Sequence, residues 1–290
     1  MSKIDPFIFF KRSLKSKSYY ADEIINIYLL RPIAAVIVWI LYPTRITPNQ
    51  VTLLAILFGL ASAVVYLFGS ATAIATGGIL ILAKDIFDDV DGQLARTKQI
   101  YSRRGRFLDS IGDFVVDVAV FGAITRVVYL EHPSFTTICL GFLSLFGITL
   151  RVSYHVFYQV SFLHLEESYK LNRIAEGITD EDRHGDPVAL RLQQIFILIY
   201  GWQDTLMCRI DYWCKGHYFD EKLLAKWYSD RFALRISGFV GFGTEFMLLG
   251  ICSWMNELQT YLILNVFAMN GIWVTSIFYR RFILAKNLKC

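Results

Sequence analysis

The sequence predicts an all-α integral membrane protein: six transmembrane helices, an N-terminal interfacial helix and a cytoplasmic insertion between spans four and five. Three observations carry that prediction. The 290 residues are 55% hydrophobic and only 19% charged, too apolar for an ordinary soluble domain. Residues 51–83 contain no charged residue, which covers one full span, a break at "FGSA" and most of a second span. Basic residues are also unevenly placed. Arg96, Lys98, Arg103, Arg104 and Arg106 stand together without an acid, the N-terminal arm holds Lys11, Arg12, Lys15 and Lys17, and the tail holds Arg280, Arg281, Lys286 and Lys289. The excess of lysine and arginine in cytoplasmic loops puts all three segments on that side, and six spans satisfy the parity.

The elements follow in order. Residues 1–46 form a cytoplasmic arm and an interfacial amphipathic helix, because "YLLRPIAAVIVWILYP" (28–43) is apolar for only about ten residues after Pro32, short for a span. Residues 47–162 form the core, with spans at 49–69, 72–95, 106–129 and 134–160. The first begins at "TPNQVT", where Thr47 can cap the helix, Pro48 suits its first turn and Gln50 completes a Thr-x-x-Gln capping box. Residues 163–232 hold 12 of the chain's 25 acids and read as a solvated cytoplasmic insertion. Residues 233–290 supply spans at 236–255 and 258–279 and the basic tail. A second short apolar stretch, "LQQIFILIYGWQDTLM" (192–207), is interrupted by Gly201, Gln203 and Asp204. Counting both short stretches as spans gives an eight-span alternative of the same parity.

The five cysteines (Cys139, Cys208, Cys214, Cys252 and Cys290) show neither zinc-like spacing nor a disulfide framework. No removable signal peptide and no CaaX context are expected. A net charge of +4, distributed by membrane side, speaks against a nucleic-acid surface.

The acids of the core are concentrated in "KDIFDDVDGQLARTKQIYSRRGRFLDSIGDFVVD", residues 84–117. On helices, Asp88 and Asp91 are i and i+3, and Asp109 and Asp113 are i and i+4, so each pair projects from one face. The connecting loop is short, which makes the two helices antiparallel neighbours and brings four carboxylates together. Unpaired charges there would be costly, so they call for cations. Hard oxygen donors suit Mg²⁺ or Mn²⁺, and the ligand count suits two ions, which could clamp a diphosphate. Gly92, Ala95 and Gly105 leave room for a bulky ligand, and Arg96 can bond phosphate oxygens. The pattern predicts a nucleotide-diphosphate site. Asp85, Asp89 and Asp117 carry no such signal and read as solvated charges or arginine partners. Arg151, the lone charge of the fourth span, has two readings: a contact to an acceptor phosphate, or a structural partner of a carboxylate or a snorkelling arginine. Glu245, alone in the fifth span, reads equally as a buried hydrogen-bonded carboxylate or a substrate contact.

This stretch resembles the CDP-alcohol phosphotransferase (CDP-alcohol phosphatidyltransferase) family, whose signature D-x2-D-G-x2-A-R-x8-G-x3-D-x3-D is matched by Asp88, Asp91, Gly92, Ala95, Arg96, Gly105, Asp109 and Asp113. The resemblance covers about residues 20–160, and the 163–232 insertion departs from the compact family core. It implies a six-helix fold, usually a homodimer, with a cytoplasm-facing cavity for two divalent ions. It also implies cleavage of a CDP-alcohol with release of CMP and transfer of the phosphoryl-alcohol to a second hydroxyl. Asp88, Asp91 and Asp109 would ligate the metals, with Asp91 bridging. Asp113 would act as general base while staying close to a metal, and Gly92, Ala95, Arg96 and Gly105 would line the CDP pocket. The commonest donor in the family is CDP-diacylglycerol, with a polar acceptor alcohol; CDP-choline or CDP-ethanolamine with diacylglycerol is the reverse pattern. Two other classes use related features. An aspartate-rich membrane prenyltransferase would use Asp85, Asp88 and Asp91 but lacks a reason for the Gly-x-x-Ala-Arg fusion, and a cation transporter would need its acids nearer mid-membrane.

Overall fold

A computed structural model describes residues 20–165, 176–216 and 219–288. Lys11, Arg12, Lys15, Lys17, Lys289 and Cys290 lie outside the described residues. All regular structure among the described residues is helical: α1 (Asn26–Leu41), α2 (Pro48–Tyr66), α3 (Ala71–Lys98), α4 (Arg103–Glu131), α5 (Phe135–Leu165), α6 (Asp180–His184), α7 (Pro187–Lys215), α8 (Glu221–Tyr228), α9 (Arg231–Trp254) and α10 (Leu258–Asn287). A helix therefore stands at each of the six predicted spans, with ends displaced by a few residues.

Four of these helices, α2, α5, α9 and α10, are long and apolar enough to cross a membrane, consistent with an integral membrane protein. The other two, α3 and α4, have 28 and 29 residues, ample for a crossing. They miss on composition because they carry the aspartates and the basic loop. Rows of apolar side chains face outward on α2 (Leu53, Leu57, Val64) and α5 (Phe142, Leu143, Phe146), as a lipid environment favours.

The predicted start of α2 forms: Gln50 Oε1 accepts the Thr47 backbone N–H at 2.9 Å, and Pro48 opens the first turn. At the other end of the site, α3 stops where Gln99 adopts φ 57°, and Ser102 caps α4 by accepting the Gly105 N–H at 3.2 Å. Lys98 secures the corner by donating to the carbonyls of Thr44 and Ile46 at 2.9 and 2.8 Å. Helix α3 packs on α1, α2 and α9, so the aspartate-bearing helix is central rather than peripheral. Tyr66, Ile81, Val120, Ile148, Phe246 and Tyr261 are among the buried side chains of the largest core cluster. Helix α1 puts Ala34 and Val38 against Val90 and Leu94 of α3 and leaves Ile33, Val36 and Ile40 exposed, so both of its faces are apolar.

The 163–232 segment is more integrated than its composition suggests. Its stretch 192–207 lies inside α7, which packs along α4 and α5. Phe196 meets the Phe107 ring at 5.5 Å, Tyr200 donates to the Ser110 carbonyl at 2.7 Å, and Gln203 pairs with Ser153 of α5. Polar residues of α7 (Gln193, Gln203, Asp211) are buried while Val188, Ile195, Leu198 and Trp202 face outward. A composition that reads as solvated is thus arranged with much of its polarity turned inward. Arg103, Arg104 and Arg106 of the basic loop pair with Asp182 (2.6 Å), Asp186 (2.7 Å) and Glu176 (3.0 Å). The Arg103 guanidinium, followed by the Thr179 backbone N–H, holds the Asp182 carboxyl well below the usual carboxylate range, and Arg104 lowers that of Asp186.

Arg151 and Glu245 resolve each other. Both are fully buried, their side chains 2.7 Å apart, and Arg151 also donates to Asn270 Oδ1 at 2.5 Å and to the Asn265 carbonyl at 3.2 Å. Tyr261 donates to Glu245 at 2.7 Å, and Asn265 joins on the same carboxylate. This is the structural reading of Arg151, with its guanidinium turned to a carboxylate of α9. Truncating it by Arg151→Met would strand Glu245 in an apolar interior, so a loss of about 3–5 kcal/mol is expected. A thermal unfolding midpoint in detergent within 2 °C or so of the parent would contradict this, given the usual conversion of stability into midpoint.

Candidate active site

Helical geometry divides the seven aspartates of residues 84–117. Asp88 and Asp91 of α3 meet Asp109 of α4, and one oxygen from each of the three lies within 4.8 Å of the others. Among the described residues this is the group of acids whose donor atoms converge closely enough to hold a metal ion. Three hard carboxylate donors from two rigid helices fit a divalent cation of the Mg²⁺ or Mn²⁺ type. Asp91, the most enclosed of the three, accepts a hydrogen bond from Thr52 Oγ1 of α2. That bond fixes one carboxylate oxygen and leaves the other free to ligate, as supporting groups around metal ligands do.

Asp113 stands one turn from Asp109 but is held differently. Its carboxylate lies 2.5 Å from Lys84 Nζ, and Lys84 also reaches Asp88 at 3.8 Å. Three of the four aspartates expected at one metal site thus have donor atoms within 4.8 Å of one another, and the fourth lies against the Lys84 ammonium. Lys84 is 2% exposed and lies 5.4 Å from the ring centroids of both Phe242 and Phe246 on α9.

The small residues of the motif have identifiable neighbours. At Gly92 a Cβ would stand 3.3 Å from an Arg96 guanidinium nitrogen, so the glycine lets that guanidinium lie close over α3. At Gly105 a Cβ would collide with Asn49 Oδ1. The missing side chain there allows the start of α4 to approach the start of α2, so the structure gives this glycine a helix-contact role. Asp89 sits 4.0 Å from Arg31, which also pairs with Asp22, the arginine-partner role foreseen for the unassigned acids. Asp85 and Asp117 are both buried and belong to no metal-binding group among the described residues.

Two residues were missed by sequence reasoning. Thr52 closes "TPNQVT", a segment read only as a helix start. The signal for Lys84 was its spacing: four residues before Asp88, it shares that residue's helix face.

Long apolar helices and a cluster of three converging carboxylates define a helical membrane protein with a group of acids that could hold a metal ion. The CDP-alcohol phosphatidyltransferase family model matches residues 45–213, and the chain belongs to that family. The match begins at the α2 capping segment and runs through α7, so the docked helix of the 163–232 segment lies within it. Similar proteins include the bifunctional IPC transferase and DIPP synthase of Aquifex aeolicus, 37% identical over 110 residues, and those of Thermococcus kodakarensis and Archaeoglobus fulgidus, 36% and 34% identical over the same length. The alignments take in 38% of this chain and 20–24% of those proteins. The chain thus spans about a quarter of the length of the relatives it matches.

Proposed function

We propose that the protein is a membrane transferase of substituted phosphate groups, moving a phosphoryl-alcohol from a CDP-alcohol to a second alcohol with release of CMP. The observation that carries this reading is the gathering of Asp88, Asp91 and Asp109 within the eight-residue family signature. The naming of three relatives as IPC transferase and DIPP synthase supports transfer of a phosphate-containing group from a CDP-alcohol. CDP-diacylglycerol is the proposed donor and a polar alcohol the acceptor.

In this reading Asp88, Asp91 and Asp109 would hold two divalent cations, Mg²⁺ or Mn²⁺, with Asp113 close by. When bound, these ions supply Lewis-acid neutralisation at the phosphate oxygens and the leaving group. Gly92, Ala95, Arg96 and Gly105 line the CDP pocket, with Arg96 bonding phosphate oxygens. The acceptor oxygen bonds to the phosphorus that bears the donor alcohol, the P–O bond to CMP breaks, and the electron pair leaves with CMP. The acceptor's proton passes to the Asp113 carboxylate. Because a hydroxyl is a far weaker acid than a carboxylic acid, that transfer occurs as the new P–O bond forms rather than before it. No covalent protein intermediate is required.

The proposed setting is six spans (α2, α3, α4, α5, α9, α10), the active site facing the cytoplasm, and a homodimer. One assay tests the reaction: purified protein with Mn²⁺ or Mg²⁺, CDP-diacylglycerol, and glycerol phosphate, inositol phosphate, inositol or serine, followed by CMP release. CDP-choline and CDP-ethanolamine with diacylglycerol form the second arm. CMP formation in the first arm supports the proposed donor, formation only in the second reverses donor and acceptor, and none in either sinks the transferase reading. Competition by an allylic diphosphate instead of CMP would point to prenyl transfer.

A further inference from the structure

We propose that α7 lies sunk in the membrane leaflet on the side of the basic loop, with lipid chains covering its outward face. This placement does not depend on which reaction the site performs. A surface helix of a soluble domain keeps its charged and polar residues outward. Helix α7 is built the other way round. Gln193, Gln203 and Asp211 are at most 3% exposed, whereas Leu198 is 80% exposed and Ile195 and Trp202 are exposed with it. Residues 195, 198 and 202 are i, i+3 and i+7, so they form one stripe. The inward groups have partners that hold the helix in this orientation. Gln193 donates to Asp182 Oδ2 at 3.0 Å, and Asp211 accepts from Tyr158, Trp227 and Tyr228 at 3.0, 2.8 and 2.9 Å. Rotating α7 to hide the stripe from water would break all of these bonds and bury nothing polar in exchange. An apolar face fixed outward in this way calls for an apolar covering.

Continuity with α5 identifies that covering. Phe142 and Phe146 on the outward row of α5 stack at 6.3 Å, and Phe146 stacks in turn on Trp202 at 6.0 Å. The outward surface of α7 therefore extends that of α5, one of the helices long and apolar enough to cross a membrane. Lipid that meets Phe142 and Phe146 also meets Trp202. The ends of α7 show that it does not cross. Asp186, which caps its start, pairs with Arg104 at 2.7 Å, and the Trp213 carbonyl near its end accepts from Arg281 at 2.6 Å. The excess of basic residues puts the loop and the tail on one side of the membrane, so α7 enters and leaves the leaflet from that side. Arg191 and Arg209, both exposed, bracket the apolar stripe, where guanidinium groups can reach headgroup phosphates. Tyr212 and Trp213 are exposed beside them, side chains suited to the same boundary. On its inner side Tyr200 donates to the Ser110 carbonyl next to Asp109, so α7 stands between the leaflet and this part of α4.

The test is tryptophan quenching on the full chain, reconstituted in phosphatidylcholine–phosphatidylglycerol vesicles with or without bromine on the upper acyl chains. Leu198→Trp is made in a Trp202→Phe background, and the emission added over Trp202→Phe alone reports on position 198. An interfacial helix seats its apolar face about 5–10 Å into the headgroup–acyl boundary, so bromine should cut that emission by about half or more and aqueous iodide by less than about a tenth. Should the double variant not fold, the emission lost between the parent and Trp202→Phe gives the same comparison at position 202. Quenching by iodide and not by bromine would put α7 in water and overturn the proposal. Quenching by neither would show the face covered by protein, a second copy of this chain included, and would overturn it equally.

Discussion

Replacing Asp91 by Asn is expected to abolish tight Mn²⁺ binding and to lower CMP release by about 10³-fold, since metal stabilisation of the departing phosphate is the largest contribution asked of the site. The residue is chosen for its position. Its carboxylate converges with those of Asp88 and Asp109, is the most enclosed of the three, and is oriented by Thr52. An amide keeps the volume and still accepts the Thr52 hydrogen bond, but it removes the negative charge that a divalent ion requires. Thr52→Val provides the graded comparison. It removes only the orienting bond, so metal affinity should weaken about 10- to 100-fold, as supporting interactions around metal ligands do. Calorimetric titration with Mn²⁺ alongside the CMP assay checks both. If Asp91→Asn binds Mn²⁺ like the parent, the cation site lies elsewhere.

The second large effect belongs to Asp113. Asp113→Asn should depress turnover about 10²- to 10⁴-fold, the usual worth of a positioned general base, while the KM for the CDP-alcohol stays within a few-fold. Asparagine can still accept a hydrogen bond from Lys84, so the variant should fold. Rapid-quench measurement of CMP at saturating donor and acceptor isolates the bond-breaking step. A rate equal to that of the parent would take the proton-acceptor role away from this residue.

The sequence exposed the helices and the acids at different depths of detail. The charge-free run after Val51 located α2 and the first part of α3. The signature set Asp88 and Asp91 on one face of α3 and Asp109 and Asp113 on one face of α4, because helix periodicity alone decides which side chains share a face. Capping at Thr47 and Gln50 was equally legible, being a local interaction across four residues. Contacts between distant segments were not. That α3 and α4 both pack chiefly on α2 was not legible. Arg151 and Glu245 are 94 positions apart; the sequence allows each a buried structural role but names neither as the partner of the other. Helix α7 was obscured for a related reason: its polar residues serve Ser153, Tyr158 and Trp227 inside the protein, so composition mimics a solvated segment. Lys84 was hidden by its company. Beside so many aspartates it looked like background, and only the approach of α4 and the two phenylalanines of α9 give it a defined partner.

The Arg151–Glu245 pair also bears on how this protein can vary over evolutionary time. Because loss of one partner leaves an uncompensated charge in an apolar interior, whereas replacing both with well-packed apolar residues can be neutral, the two positions form a single heritable unit. Sequences that keep this helix packing should show both charges or neither. Asn265 and Tyr261, which share the carboxylate, should drift in sequences that have lost the pair and stay fixed in those that have kept it.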